Sequence, residues 1–296
     1  MWIYSSDRYV LPLPAGHRFP MPKYALLRER VRAMAPASLR EPPAADDAAL
    51  GRAHDRRYVD AVVEGRLDAA QERRIGFPWT EAMVERSRRS AGATLAACRS
   101  ALDCGFGVNL AGGTHHAHRD FGAGFCVFND TVVAARAVQA ERGVERVLVI
   151  DLDVHQGDGT AAIVADDPTI FTLSIHGRRN FPFRKAASDL DVELDDGTGD
   201  AAYLAALRAA LDVAFGRCRA DLAIYLAGAD PYMHDRYGRL SLTKQGLAAR
   251  DRVVLDALSS RQIPVAVAMA GGYADRVDDV VDIHAATVAA VLELAA

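Results

Sequence analysis

Residues 147–160, VLVIDLDVHQGDGT, join an apolar run to a cluster of charged side chains. The four apolar residues at the start of the run predict a strand that is buried on both faces of a sheet. Asp153 and His155 are two positions apart, so on an extended backbone their side chains point to the same side. A carboxylate and an imidazole at one strand end provide half of a divalent-metal site. Taken alone, the motif is equally compatible with a solvated strand end beside a helix N-terminus.

Asp230 supplies the third ligand of the predicted metal site, because it follows the apolar run that begins at Leu222. With Asp153 and His155 it forms a three-ligand set that leaves coordination positions open, as a catalytic zinc requires. Two carboxylates and one imidazole form a harder site than a histidine-rich one, so ferrous iron is the alternative metal. Asp151 has the same parity as Asp153 but lies deeper, where a carboxylate can orient a histidine or bind a monovalent ion.

A tandem pair, His115 and His116, follows two glycines in a second polar loop. Neighbouring side chains diverge, so we expect the two imidazoles to have different roles, and Asp151 and Asp158 can each pair with one of them. Tyr273, in the segment AGGY, offers a phenol that can donate a hydrogen bond to an oxyanion, although alone it is more simply interpreted as a packed aromatic. Together these residue types predict metal-assisted hydrolysis of an amide, with water as the nucleophile.

The elements that must position these residues alternate between strands and helices. Apolar runs predict strands at 2–4, near 108–110, at 147–150, 169–175 and 190–194, and from 222 and 263 onward. Helical spacing predicts helices at 23–34, twice within 46–67, at 80–103, 129–142, 160–165, 200–217 and 243–258, and at the C-terminus, with Thr80, Asp200 and Thr243 as N-caps. This order predicts an α/β fold: one domain, residues 1–296, with a doubly wound, mainly parallel sheet flanked by helices. In such sheets ligands bind outside the carboxyl ends of the strands, where each reactive segment lies.

Composition restricts the class of protein. The chain has 296 residues, with 35 Lys and Arg against 39 Asp and Glu, and its net charge of −4 argues against a nucleic-acid partner. No apolar segment is long enough to cross a membrane, and the first residues do not resemble a signal peptide, so we expect a cytoplasmic protein. The four cysteines form no CxxC pair and are expected to be reduced, mostly buried thiols.

Five segments, in this order along the chain, resemble the zinc-dependent histone deacetylase family, whose fold is the arginase/deacetylase fold. They read GGTHHAHRDFGAGFCVFND, VLVIDLDVHQGDGT, FTLSIHG, LAGADPY and AGGY. The N-terminal segment YSSDRYVLPLPAGHRFPMPKYALLRE resembles the bacterial, class IV-like branch of that family. The resemblance implies a deacylase whose zinc is bound by Asp153, His155 and Asp230. It implies that His116, paired with Asp158, is the general base and acid, and that His115, paired with Asp151, is its electrostatic partner. Tyr273 would be the oxyanion donor.

The resemblance also implies a structural potassium ion and a substrate tunnel. The potassium would lie near Asp151 and Ser174, with backbone carbonyls from Asp153, His155 and Ile175. The tunnel would be walled by Gly124 and Phe125, with Phe181 or Phe183, and apolar walls suit the aliphatic stem of an acyl-lysine. The expected substrate is an acylated lysine peptide; the alternative is an acetylpolyamine or another small acylated amine.

Two other functions remain as alternatives. An arginase-like ureohydrolase with two manganese ions would carry extra carboxylates, but Gly228 stands two positions before Asp230, where one would be expected. A non-enzymatic binding module that reuses the fold would not need the combined set of base, ligands and phenol. Two departures from many relatives, Gln156 in place of a second histidine and Ala270 in place of glycine, remove no catalytic group.

Overall fold

The computed structural model describes residues 1–295, and its centre is one sheet of eight strands that all run parallel. The strands are β1 (Trp2–Tyr4), β2 (Leu39–Arg40), β3 (Phe106–Asn109), β4 (Val147–Asp151), β5 (Ile170–Gly177), β6 (Leu190–Leu194), β7 (Leu222–Leu226) and β8 (Val265–Ala268). Their order across the sheet is β2-β1-β3-β8-β7-β4-β5-β6. The predicted α/β class is confirmed, and the sheet is wholly rather than mainly parallel.

Ten α-helices lie within the described residues and cover both faces of the sheet. They are α1 (Pro22–Met34), α2 (Asp47–Leu50), α3 (Arg56–Val63), α4 (Ala69–Ile75), α5 (Glu81–Cys104), α6 (Asp130–Arg142), α7 (Asp158–Val164), α8 (Asp200–Arg217), α9 (Lys244–Ser259) and α10 (Val277–Leu294). Helices α1, α8, α9 and α10 pack on one face, and α2–α7 pack on the other. The central strand β4 is buried throughout because alternate residues enter the two cores: Leu148 and Ile150 point to one face, Val147 and Val149 to the other.

The strands that lead into the reactive segments are neighbours in the sheet. Strands β3, β8, β7, β4 and β5 lie side by side, although they are spread over more than half of the chain. Because all of them are parallel, their carboxyl ends form one edge. The tandem histidines, the predicted metal ligands and Tyr273 therefore all leave the sheet at that edge, as the strand-end rule requires.

The first turns of the helices show which of the predicted N-cap residues are correct. Thr80 and Thr243 accept hydrogen bonds from backbone N–H groups of the first turns of α5 and α9, which confirms both predictions. Asp200 was wrongly predicted as a cap: Gly199 holds that position, and the Asp200 carboxylate instead accepts hydrogen bonds from the backbone and hydroxyl of Thr243. Helix α4 was not predicted, although Asp68 begins it with a complete capping box.

The sequence predicts that the four cysteines are reduced and mostly buried. Cys98, Cys126 and Cys218 are buried and Cys104 is exposed, and all four thiols are free. None of the helices within residues 1–295 combines the length and the apolar character that a bilayer crossing requires.

Gly107 gives a test of how tightly α5 packs on β3. A Cβ at position 107 would lie 2.0 Å from the backbone oxygen of Ala97, so Gly107→Ala should lower the free energy of unfolding by about 1–3 kcal/mol. Gly216 in α8 has no atom within 4 Å of its would-be Cβ, so Gly216→Ala should raise that free energy by about 0.5–1 kcal/mol. Urea denaturation of the two variants measures both changes, and equal midpoints would contradict the packing described.

Candidate active site

Asp153, His155 and Asp230 converge at the carboxyl ends of β4 and β7. One ligand atom from each lies within 4.8 Å of the other two. His155 Nδ1 is 3.0 Å from Asp153 Oδ1 and 3.3 Å from Asp230 Oδ2. Both aspartates are buried, whereas His155 is half-buried. The sequence-predicted ligand set therefore forms one compact cluster.

The remaining carboxylate oxygens are held by backbone donors. Val154 N–H donates to Asp230 Oδ1 at 2.9 Å, and Gly271 N–H donates to Asp153 Oδ2 at 2.8 Å. Asp230 Oδ2, in contrast, is buried and has no hydrogen-bond donor anywhere in the described chain. A buried carboxylate oxygen without a donor, facing an imidazole nitrogen and a second carboxylate, fits a divalent cation.

Burial and charge shift the pKa values of the cluster strongly. Burial and the charge of Asp153 raise the pKa of Asp230 to about 7. Burial alone would lower the pKa of His155, but its contacts with Asp153 and Asp230 outweigh burial and raise the pKa to about 10. Burial would raise the pKa of Asp153, yet His115 and His155 hold it well below its usual range. The cluster thus requires positive charge beside its carboxylates.

Two glycines allow the ligand-bearing strand ends to approach each other. A Cβ at Gly228 would lie 2.8 Å from Asp153 Cα and 2.9 Å from Asp230 Oδ1. A Cβ at Gly271 would lie 2.0 Å from Asp230 Oδ2. No side chain fits at position 228 without displacing the ligands, so the extra carboxylate of an arginase-like site has no room there.

The tandem histidines pair with two different carboxylates. His115 Nδ1 lies 2.7 Å from Asp151 Oδ2, and His116 Nδ1 lies 2.6 Å from Asp158 Oδ1. Burial would lower the pKa of His115, but Asp151 and Asp153 raise it to about 9. Burial and the adjacent His115 lower the pKa of His116 to about 4. The surrounding charges thus favour the protonated form of the first imidazole and the neutral form of the second.

Sequence reasoning missed His118, the third histidine of this loop, which also contacts the carboxylate of Asp158. His118 Nε2 lies 3.3 Å from Asp158 Oδ2, so Asp158 is shared by two histidines. Burial would raise the pKa of Asp158, but hydrogen bonds from His116 and His118 hold it well below its usual range. The spacing HHAH, which places His118 two residues after His116, was the available signal.

Tyr273 is held at the site through its backbone and its ring. Its N–H donates to Asp235 Oδ2 at 2.6 Å, and its ring lies 6.0 Å from that of Phe125. Burial, with the charges of Asp153 and Asp230, raises the pKa of Tyr273 well above its usual range, so the phenol keeps its proton. Sequence reasoning missed Lys23, which is buried and donates to the backbone oxygens on both sides of Gly271, those of residues 270 and 272, at 3.4 Å each.

A cavity of about 700 Å³ opens onto these groups. The predicted tunnel residues Gly124, Phe125, Phe181 and Phe183 all line it, but at different depths. A Cβ at Gly124 would lie 2.7 Å from His116 Cδ2, and the Phe181 ring lies 4.9 Å from the His116 ring. Phe183 is 87 % exposed and therefore stands at the mouth rather than in the wall.

The family of the chain follows from its comparison with known proteins. The family model of the histone deacetylase domain matches residues 17–290. The chain belongs to the histone deacetylase family.

Relatives of this histone deacetylase family member span most of its length. It is 42 % identical over 285 residues to an uncharacterised protein of Picosynechococcus, with 95 % of each chain covered. It is 31 % identical over 239 residues to the histone deacetylase-like amidohydrolase of Pseudomonas aeruginosa, covering 74 % of this chain and 61 % of the relative. The crystal structure of a histone deacetylase homologue from Aquifex aeolicus superposes with a TM-score of 0.83 at 22 % identity, covering 99 % and 83 % of the two chains. The protein is therefore a hydrolase of amides with the arginase/deacetylase fold.

The residues predicted to bind potassium lie in β4 and β5 or in the segment directly after β4. Asp151 in β4 is paired in register with Ser174 in β5, and Ile175 follows within β5. Ser174 Oγ lies 2.9 Å from His176 Nδ1. The potassium site itself remains a prediction.

Arg250 is a second buried cation that sequence reasoning missed. Its side chain is fully buried in α9 and is paired with Asp251 at 2.7 Å. Its Nη1 donates to the backbone oxygen of Gly228 at 2.6 Å and to that of Leu152 at 3.4 Å. Leu152 is one residue before Asp153, and Gly228 is two residues before Asp230. Arg250 therefore links the segments that follow β4 and β7.

The fit at Gly271 gives a test of the cluster. Gly271→Ala would push a methyl group into the Asp230 carboxylate, so we expect the affinity for a divalent cation, measured with zinc as the probe, to fall by about 10–100-fold. Metal content after equilibrium dialysis measures the loss, and Gly216→Ala is the control, with unchanged affinity. Full zinc affinity in Gly271→Ala would contradict the assignment of the ligand cluster.

Proposed function

We propose that the protein is a zinc-dependent deacylase that hydrolyses the acyl amide of an acylated lysine or of a small acylated amine. The observation that carries the proposal is the position of His116 beside the cluster of Asp153, His155 and Asp230, at the base of one cavity. Ferrous iron is the alternative metal, since two carboxylates and one imidazole suit both ions. A divalent cation in this cluster would polarise the carbonyl and lower the pKa of a water molecule.

His116 is the proposed general base and acid. Its Nδ1 is occupied by Asp158, so Nε2 is the nitrogen left to receive a proton from the attacking water and return it to the leaving amine. The low pKa of His116, with burial and His115 as its causes, keeps this nitrogen unprotonated at neutral pH. Asp158 fixes the tautomer and stabilises the imidazolium once it forms.

Tyr273 and His115 are proposed to stabilise the negative charge that develops on the carbonyl oxygen of the substrate. The protonated phenol of Tyr273 can donate to the oxyanion as the carbonyl carbon becomes tetrahedral. His115, whose protonation Asp151 favours, has its ring 4.2 Å from that of His116 and can add positive charge beside it. A potassium ion near Asp151 and Ser174 would stabilise the strand ends in this proposal.

The shape of the cavity supports a long aliphatic stem as the substrate. Gly124 packs directly against His116, where a Cβ would not fit, while the rings of Phe125 and Phe181 supply apolar contacts along the path inward. A lysine side chain carrying an acyl group has this form, and so has an acylated polyamine. The reaction class is tested with both substrate types, each assayed with zinc, ferrous iron and manganese; no turnover of any of them would refute the proposal.

The phenol gives the first test of the mechanism. Tyr273→Phe should lower kcat by about 10²–10³, because one oxyanion donor is lost. Tyr237→Phe is the matched control, since its ring lies 5.2 Å from that of Tyr273, and it should change kcat by no more than about twofold. An unchanged kcat in Tyr273→Phe would remove the phenol from the mechanism.

The Asp158 carboxylate gives the second test. Asp158→Asn should lower kcat by about 10²-fold or more, because His116 loses the partner that orients it, while zinc content stays constant. Asp166→Asn, an exposed carboxylate just beyond α7, is the control. Normal kinetics in Asp158→Asn would show that His116 does not depend on this pair.

The metal ligand gives the third test. Asp230→Ala removes both carboxylate oxygens of a ligand, including the one without a hydrogen-bond donor, so bound zinc should be lost together with activity. Elemental analysis of the purified variant measures the metal directly. Retention of one zinc per chain would show that Asp230 is not a ligand.

A further inference from the structure

The mouth of the cavity is lined by arginines from three separate segments of the chain. Arg18 comes from the loop before α1, Arg179 follows β5, and Arg236 and Arg239 lie between β7 and α9; together they are the mouth arginines. All four side chains are exposed. Within residues 1–295, the only carboxylate that lines the cavity is Asp153, at its floor.

The carboxylates beside the mouth do not offset this positive charge. Arg236 pairs with Asp275 at 2.7 Å. Arg179 and Arg239 share a single carboxylate, Asp196, at 3.8 Å and 3.3 Å. Arg18 has no salt bridge in the part of the chain that the structure describes. Two carboxylates thus pair with three of the four guanidinium groups, and the mouth keeps an excess of positive charge on a chain whose net charge is −4.

The positive charge at the mouth selects substrates by the charge of the groups that flank the acylated amine. If an acylated lysine enters the cavity, the flanking peptide residues remain at the mouth, because the stem fills the path down to His116. Carboxylates in those residues would be attracted by the mouth arginines, and the exposed ring of Phe183 offers an apolar contact to peptide side chains. An acylated polyamine would instead leave its free ammonium groups among guanidinium groups, and like charges repel.

We infer that the preferred substrate is an acylated lysine within an acidic peptide segment, and that polycationic substrates are disfavoured. This inference rests on the proposed deacylase function and narrows its substrate class. The contribution is long-ranged attraction by solvated charges, so it acts on KM and weakens with salt. Because each exposed pair contributes little by itself, the mouth arginines act as a group.

The test uses lysine peptides with one length and one acyl group, whose flanking residues are acidic (Asp, Glu), neutral (Ser, Gln) or basic (Lys, Arg). With the metal-loaded full chain at low salt, kcat/KM should be about tenfold or more higher for the acidic than for the basic peptide, mainly through KM. At roughly 1 M salt, where the screening length is about 3 Å, most of this preference should disappear.

Two variants test whether the mouth arginines cause the preference for acidic peptides. The triple variant Arg18→Gln, Arg179→Gln, Arg239→Gln should reduce the acidic-to-basic ratio to about twofold or less while leaving kcat on the neutral peptide unchanged. Arg178→Gln is the matched control: Arg178 adjoins Arg179 in the chain, is exposed, does not line the cavity, and pairs instead with Glu193 and Asp195. It should keep the full ratio.

The outcomes separate this inference from the function on which it rests. Turnover of all three peptides at equal kcat/KM, a charge preference that persists in the triple variant, or faster turnover of an acetylated polyamine than of the acidic peptide would overturn the inference and leave a deacylase. Failure to hydrolyse any acylated amine with any of the three metals would refute the proposed function and the inference together.

Discussion

The burial of three carboxylates at one sheet edge is the constraint on which the site depends. Asp151, Asp153 and Asp230 are each 3 % exposed or less, and such burial costs several kcal/mol per charge unless positive charge lies close by. His115 and His155 supply part of that charge, which is why both have raised pKa values. Their contribution is incomplete, because one oxygen of Asp230 still has no donor in the described structure. A bound cation is the group whose charge and size would complete the balance.

Strands β4 and β7 are hydrogen-bonded neighbours in the sheet, but this pairing ends before the ligands begin. Beyond the strands, Arg250 links the two segments, because its guanidinium donates to a backbone oxygen of each, while Asp251 neutralises it. Gly228 and Gly271 let the backbone lie directly against Asp153 and Asp230, because neither position has room for a Cβ. The ligand geometry therefore depends on residues that are not ligands themselves, and a change at any of them should weaken metal binding.

The parts of this arrangement that follow from local patterns could be predicted from the sequence. An apolar run ending in DLDVH fixes both the strand and the side to which Asp153 and His155 point, and parallel strands bring Asp230 to the same edge. Arg250 could not be predicted, because a charged residue in a helix is normally solvated and nothing local marks this one as buried. The mouth arginines were missed for a similar reason: three loops without periodicity place them together, and only tertiary structure makes them neighbours. The role of each site residue is likewise set by tertiary contacts.

The tandem histidines show most directly how tertiary contacts divide identical residues. The rings of His115 and His116 lie 4.2 Å apart, yet their pKa values are driven in opposite directions, to about 9 and about 4. His115 is turned toward two buried aspartates, whose charges outweigh its own desolvation. His116 is turned toward the Phe181 ring, and positive charge on the adjacent His115 raises the cost of protonating His116. Positive charge on the first imidazole thus lowers the proton affinity of the second and keeps it neutral. The pair therefore works as one unit, because removing the charge of His115 would make His116 a stronger base.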